Sequence, residues 1–217
     1  MNNKTRRQVL LVDDHPLTRK GLRDAINAEP DLEVCDEAEG RNDALAILKQ
    51  RRPDVVVLDL NLKDGNGWDL LTFLGTGPDA PPVLILSVCQ EEFYALRLVR
   101  AGAKGYLMKD IPISQVLEAI RKVLGGHIAV SDAMASTMIQ AAAHVNGLMS
   151  NANEISGLSD RELQVFELLR QRLGNSAIAE RLGVSPKSVG TYKARIMEKL
   201  GVRTTPRLLA LIQDPQF

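Results

Sequence analysis

Five polar residues stand directly after, or close, short apolar runs along the first half of the chain. Asp13 and Asp14 follow residues 8–12, Asp59 follows 55–58, Ser87 closes 82–87, and Lys109 follows 105–108. Three carboxylates brought together repel one another and raise one another's pKa values unless a cation offsets them. Few carboxylates, with positions left for water and phosphate oxygens, suit Mg²⁺; Ca²⁺ takes more oxygen ligands. A carboxylate can also attack a phosphoryl group, and that transfer calls for a divalent ion and a cation such as Lys109 to offset charge on the phosphoryl oxygens. Taken singly, each residue has a plain structural role: strand-end aspartates cap helices, and a lone Ser or Lys after a strand sits at the surface. The chemical reading rests on their joint occurrence.

Such a cluster needs an element that brings the ends of distant runs together. Residues 8–128 alternate between strand and helix patterns. Residues 8–12, 32–38, 55–58, 82–87 and 105–108 read as strands, and Val55-Val56-Val57-Leu58 is apolar throughout, as in a central strand covered on both faces. Helical periodicity over Leu17, Gly21, Leu22, Ala25 and Ile26, and then over residues 42–50, 68–74, 91–101 and 113–124, fills the intervals. Five βα units predict a doubly wound parallel sheet of order 2-1-3-4-5. Ligands bind there at the carboxyl ends of the first and third strands, where the strand order reverses. The expected pocket is single and open to solvent at residue 59.

Composition supports two small domains. Hydrophobic residues at 45% and charged ones at 25% describe an ordinary globular chain, and aromatics at 4% leave the cores to Leu, Ile, Val and Ala. No apolar run approaches a membrane span, and the start has no signal-peptide pattern, so a cytoplasmic protein is expected. Cys35 and Cys89 lack metal-ligand spacing, sit in or beside predicted buried segments and read as reduced small hydrophobes. The net charge of zero hides a split: residues 156–217 hold 10 Lys+Arg against 6 Asp+Glu, leaving the preceding part acidic. Residues 129–155 read as a linker with one helix at 132–145 and a polar, breaker-rich end.

Residues 156–217 predict four helices and no strand. Ser159 and Glu162 form a capping box. Gly183 stops a helix over 175–182, and Ser185-Pro186 starts the next, to about residue 200. Thr205-Pro206 repeats that signal. Helix, tight glycine turn, helix is the geometry that projects the second helix into a DNA major groove. Val189, Ile196 and Leu200 fall on one side of that helix, and Lys187, Thr191 and Arg195 on the other, toward DNA. Tyr192 lies near the apolar stripe, where packing serves it as well as a phosphate contact.

Val12-Asp13-Asp14-His15-Pro16, Leu58-Asp59-Leu60 with Asp64-Gly65, Ser87, and Gly102-Ala103-Lys104-Gly105-Tyr106-Leu107-Met108-Lys109 resemble the receiver domain of response regulators, the NarL/FixJ subgroup in particular. Leu158-Ser159-Asp160-Arg161-Glu162, Ile178-Ala179-Glu180-Arg181-Leu182-Gly183-Val184-Ser185-Pro186-Lys187 and Lys199-Leu200-Gly201-Val202 resemble the LuxR-type helix-turn-helix domain. The resemblance implies a flavodoxin-like receiver over residues 8–128, a linker over 129–155 and a DNA-binding domain over 156–217. It makes Asp59 the phosphoacceptor, with Mg²⁺ held by Asp13, Asp14, Asp59 and the main-chain carbonyl of Asn61. Lys109 would pair with the phosphoryl group, Ser87 would be drawn to it, and Tyr106 would turn inward.

DNA contacts are expected from Lys187, Ser188, Gly190, Thr191, Tyr192, Lys193 and Arg195, although Gly190 and Ala194 stand where relatives carry reaching side chains. His15 resembles the ordinary helix-start residue and receives no phosphotransfer role. Many receivers have Lys-Pro where this chain has Lys109-Asp110, which leaves the isomer of that peptide bond open. Implied partners are a sensor histidine kinase, promoter DNA and a second copy when phosphorylated, with no membrane. The protein is expected to be a regulator, not an enzyme. A phosphohydrolase working through an aspartyl-phosphate and resembling the haloacid dehalogenase group would have a second Asp two residues after the first, where this chain has Asn61.

Overall fold

The computed structural model describes residues 6–75, 80–143 and 157–212. The chain divides into two compact units, Met1–Ala143 and His144–Phe217. In the first, strands and helices alternate: β1 (Arg7–Val12), α1 (Pro16–Ala28), β2 (Leu32–Ala38), α2 (Arg41–Gln50), β3 (Val55–Leu58), β4 (Asn61–Leu62), β5 (Gly65–Asn66), α3 (Gly67–Leu74), β6 (Val83–Ser87), α4 (Glu91–Arg100), β7 (Gly105–Met108), α5 (Ile113–Leu124) and α6 (Asp132–Ala143).

Five parallel strands form one sheet in the order β2-β1-β3-β6-β7, the predicted order. β3 is buried at all four positions, as its unbroken apolar run requires. One face of the sheet packs on α1 and α5 through Val9, Leu11, Val57, Leu84, Ile26 and Ile120. Register decides where the polar residues land. Val12 pairs with Leu58, and Leu58 with Ile85, so the chain leaves β1, β3 and β6 at one edge.

The hairpin β4–β5 was not visible in the sequence pattern. Its turn residue Asp64 accepts the amides of Arg41 at 2.6 Å and Asn42 at 2.9 Å, supplying the N-terminal cap that Gly40 cannot. After the hairpin, Gly67 lies so close to the Asp59 carbonyl that a Cβ there would sit 2.2 Å from its oxygen. The chain past α5 returns to the sheet. Ala129 bridges Gly105, its carbonyl accepting from the Tyr106 amide at 2.8 Å and its amide donating to the Lys104 carbonyl at 3.0 Å. Helix α6, the one expected at 132–145, then packs on α4, with Met134 buried. Residues 144–156, the rest of the expected linker, lie outside the described residues.

In the second unit the described helices are α7 (Asp160–Arg170), α8 (Asn175–Leu182), α9 (Pro186–Lys199) and α10 (Thr205–Ile212). The capping box forms between Ser159 and Glu162, Ser185 caps α9, and Gly183 ends α8 with φ 63°. α10 starts one residue before the place its Thr-Pro signal marks, the Leu208 amide reaching the Thr204 carbonyl. Lys199 ties the end of α9 to the start of α7 through Glu162 at 2.6 Å and the Gly157 carbonyl at 3.1 Å.

Candidate functional site

The edge where β1, β3 and β7 end gathers the predicted side chains. Asp13 and Asp59 are 4% and 1% exposed, and between them sits the Lys109 ammonium, its Nζ 2.7 Å from Oδ2 of each. Asp59 Oδ1 also accepts the Asn61 amide at 3.2 Å. Burial pushes the Asp59 carboxyl above its ordinary value, and the charge and hydrogen bond of Lys109 only partly counter this. Burial pulls the other way on Lys109, but the attraction of Asp59 and the hydrogen bonds to Asp13 and Asp59 outweigh it, so the ammonium is held charged.

His15 enters this cluster, although its position at a helix start assigned it no role there. Its Nδ1 lies 2.8 Å from Asp14 Oδ1, 3.2 Å from Asp13 Oδ1 and 3.8 Å from Asp59 Oδ2. It stands at the N-cap of α1, yet its side chain makes no capping bond. Asp13, Asp14, His15 and Asp59 offer ligand atoms within 4.8 Å of one another, a spacing one cation can serve, and three carboxylates suit a hard, oxygen-loving ion. The expected solvent opening at Asp59 is covered in this structure, where the ends of Lys109 and His15 lie over the carboxyl. His15 is itself 60% exposed, whereas Asp59 is 1% exposed.

Ser87 and Tyr106 are fully buried. The Ser87 hydroxyl accepts the Cys89 amide at 3.3 Å, while its carbonyl accepts the Lys109 amide at 2.8 Å. Tyr106 already points inward, its hydroxyl donating to the Cys89 carbonyl at 2.7 Å. One short loop thus connects the serine to the tyrosine. Cys35 and Cys89 are free thiols, and no peptide bond among the described residues is cis, Lys109-Asp110 included.

On α9, Val189 and Ile196 are fully buried, while Lys187, Thr191 and Arg195 are exposed, so the sidedness read from the sequence is present. Gly190, Tyr192 and Lys193 are half-buried on the flanks. Ser188 is engaged at the helix start, its amide donating to Ser185 Oγ at 3.0 Å with the two hydroxyls 2.8 Å apart. Thr191 Oγ1 donates to the Lys187 carbonyl at 3.2 Å.

A parallel sheet with a carboxylate pocket at its switch point, followed by a separate helix-turn-helix unit, defines a phosphorylatable receiver coupled to a DNA-binding output. Comparison with known families agrees. Residues 9–121 match the response regulator receiver domain, and residues 156–211 match the luxR family of bacterial regulatory proteins. The chain is 33% identical to the oxygen regulatory protein NreC of Staphylococcus carnosus, covering 93% of this chain and 94% of that one. It is 36% identical to the DNA-binding transcriptional activator DevR/DosR of Mycobacterium tuberculosis, covering 90% and 88%.

Among solved structures, RcsB of Salmonella enterica serovar Typhimurium, bound to promoter DNA with a phosphomimetic, superposes with a TM-score of 0.73 over 96% of this chain and 99% of that one; at 21% identity that likeness concerns the fold. ChrA, from a heme-sensing two-component system, is 30% identical over 97% and 98%, with a TM-score of 0.51. The chain belongs to the NarL/FixJ family of response regulators, the phosphorylation-dependent transcriptional regulators of two-component systems, with a LuxR-type DNA-binding domain. Among the described residues no helix is long and apolar enough to cross a membrane.

Proposed function

We propose that Asp59 accepts the phosphoryl group, taking it from the phosphohistidine of a sensor histidine kinase. An Asp59 carboxylate oxygen attacks phosphorus, the P–N bond breaks with its electron pair returning to the imidazole, and an acyl phosphate forms. One observation carries the assignment: β3 lies between β1 and β6, so Asp59 alone among the clustered carboxylates has the acidic pair on one side and the serine strand on the other.

Asp13, Asp14, Asp59 and the Asn61 carbonyl are the ligands assigned to Mg²⁺. When bound, the ion would offset negative charge on the phosphoryl oxygens. Lys109 supplies a second positive charge to the same oxygens. Ser87 exchanges its Cys89 contact for the phosphoryl group, and through the Cys89 carbonyl the change reaches Tyr106. The output is pairing with a second copy and binding of promoter DNA through Lys187, Ser188, Gly190, Thr191, Tyr192, Lys193 and Arg195, in the cytoplasm. The phosphoryl group serves as a signal, not as a substrate to be turned over.

Intact-mass measurement with acetyl phosphate and Mg²⁺ tests the acceptor. Wild type gains one phosphoryl group and Asp59→Asn gains none; labelling of Asp59→Asn to the wild-type level refutes the assignment.

A further inference from the structure

Arg172 is the one non-glycine residue, among the described residues, in the left-handed region, with φ 62°. It lies just beyond α7, where its amide donates to the Leu169 carbonyl at 2.9 Å. A glycine adopts this conformation at a helix end without steric penalty, whereas an arginine there carries backbone strain. The residue is exposed. With Lys193 of α9 it lines a concavity of about 460 Å³, floored by Leu169, Leu173 and Leu209.

Lys193 stands on the flank of α9, between the buried stripe of Val189 and Ile196 and the exposed side of Lys187, Thr191 and Arg195. Gly190 and Ala194 fill the strip from that flank to the exposed side, three residues before Lys193 and one after it. A Cβ at Gly190 would meet nothing within 4 Å, so no crowding within the protein calls for a glycine that weakens the helix. The strip is low and leaves the two cations approachable from the face that meets DNA.

We infer that Arg172 and Lys193 form a phosphate-binding element on the flank of α9, taking the DNA backbone that borders the groove the helix enters. The inference rests on the proposed DNA-binding role of α9 and extends it to a residue outside the helix-turn-helix. Two cations lining one concavity suit a phosphodiester, which accepts charge-assisted hydrogen bonds from both. Such contacts fix position and add affinity without reading sequence. Gly190 and Ala194 let the strand come close enough to reach them.

The test is a salt titration of the full-length chain on a fluorescently labelled duplex of arbitrary sequence, read by anisotropy beside thermal melting. Arg172→Gly is expected to keep or raise the melting temperature, because glycine suits the backbone there. It should weaken binding roughly tenfold and lower the slope of log affinity against log salt by about one. Arg172→Asn, also tolerant of the left-handed region, reproduces the loss, and Arg172→Lys retains the wild-type slope. Wild-type affinity and slope for Arg172→Gly overturn the inference while leaving the α9 assignment standing. A wild-type chain that binds no duplex overturns both.

Discussion

The two units handle charge in opposite ways. In the receiver, Asp13, Asp59 and Lys109 are packed against one another with side-chain exposures of 5%, 1% and 10%, so each ion is solvated largely by its neighbours. On α9 the charged groups Lys187 and Arg195 face water, and the helix buries only its apolar stripe. Buried ions interact strongly and are little screened by salt, whereas exposed ones are weak individually and depend on ionic strength. The first arrangement suits chemistry on one small dianionic group. The second suits reversible binding of a long polyanion. One chain thus holds a buried charge cluster in its receiver and exposed cations on α9.

The largest expected effect breaks the buried arrangement. Lys109→Met leaves two carboxylates without their shared cation and should destabilise the receiver by about 3 kcal/mol in urea denaturation at neutral pH with chelator present. Millimolar Mg²⁺ should restore part of that loss, because binding to the folded form alone stabilises it. The deficit should also shrink as pH falls: burial already raises the Asp59 pKa, and a protonated Asp59 no longer needs the ammonium. A loss too small to measure would mean that the pocket behaves like surface.

Next in size is Glu162, a carboxylate buried within the second unit. Burial raises its pKa, but hydrogen bonds from Lys199 and the Ser159 amide outweigh that and hold the carboxyl below its ordinary value. A depressed folded pKa contributes stability that is present above the unfolded value and lost as pH falls through the folded one. Glu162→Ala should therefore cost about 2 kcal/mol at neutral pH, and circular-dichroism melts of mutant and wild type should converge in acid. Parallel curves at every pH would assign Glu162 to packing alone.

The smallest effect sharpens the exposed side. Lys187→Ala should leave folding unchanged, weaken duplex binding roughly tenfold at low salt, and lose that difference as salt rises. A penalty independent of salt would point to a base contact rather than a phosphate.

Local patterns made much of this legible from the sequence. The apolar run of Val55 to Leu58, the Ser159–Glu162 box and the Gly183 stop each act within a few residues, and each stands as read. What escaped depends on distance. The strands of the β4–β5 hairpin are two residues each, too short for a period, and Asp64 caps a helix more than twenty residues upstream. His15 carries no pattern that says it faces three carboxylates rather than its own helix. Arg172 adopts a backbone conformation that its residue type argues against.

β7 is the outermost strand of its sheet, and the segment holding Ala129 screens part of its open side, with Gly105 accommodating the approach: a Cβ there would lie 2.6 Å from the Ala129 oxygen. A receiver trimmed at the end of α5 would keep every residue of the acidic pocket and still be a different object in solution. Its raw border, stripped of this selvedge, would offer unmet amides and carbonyls to any extended chain nearby, the usual beginning of clumping.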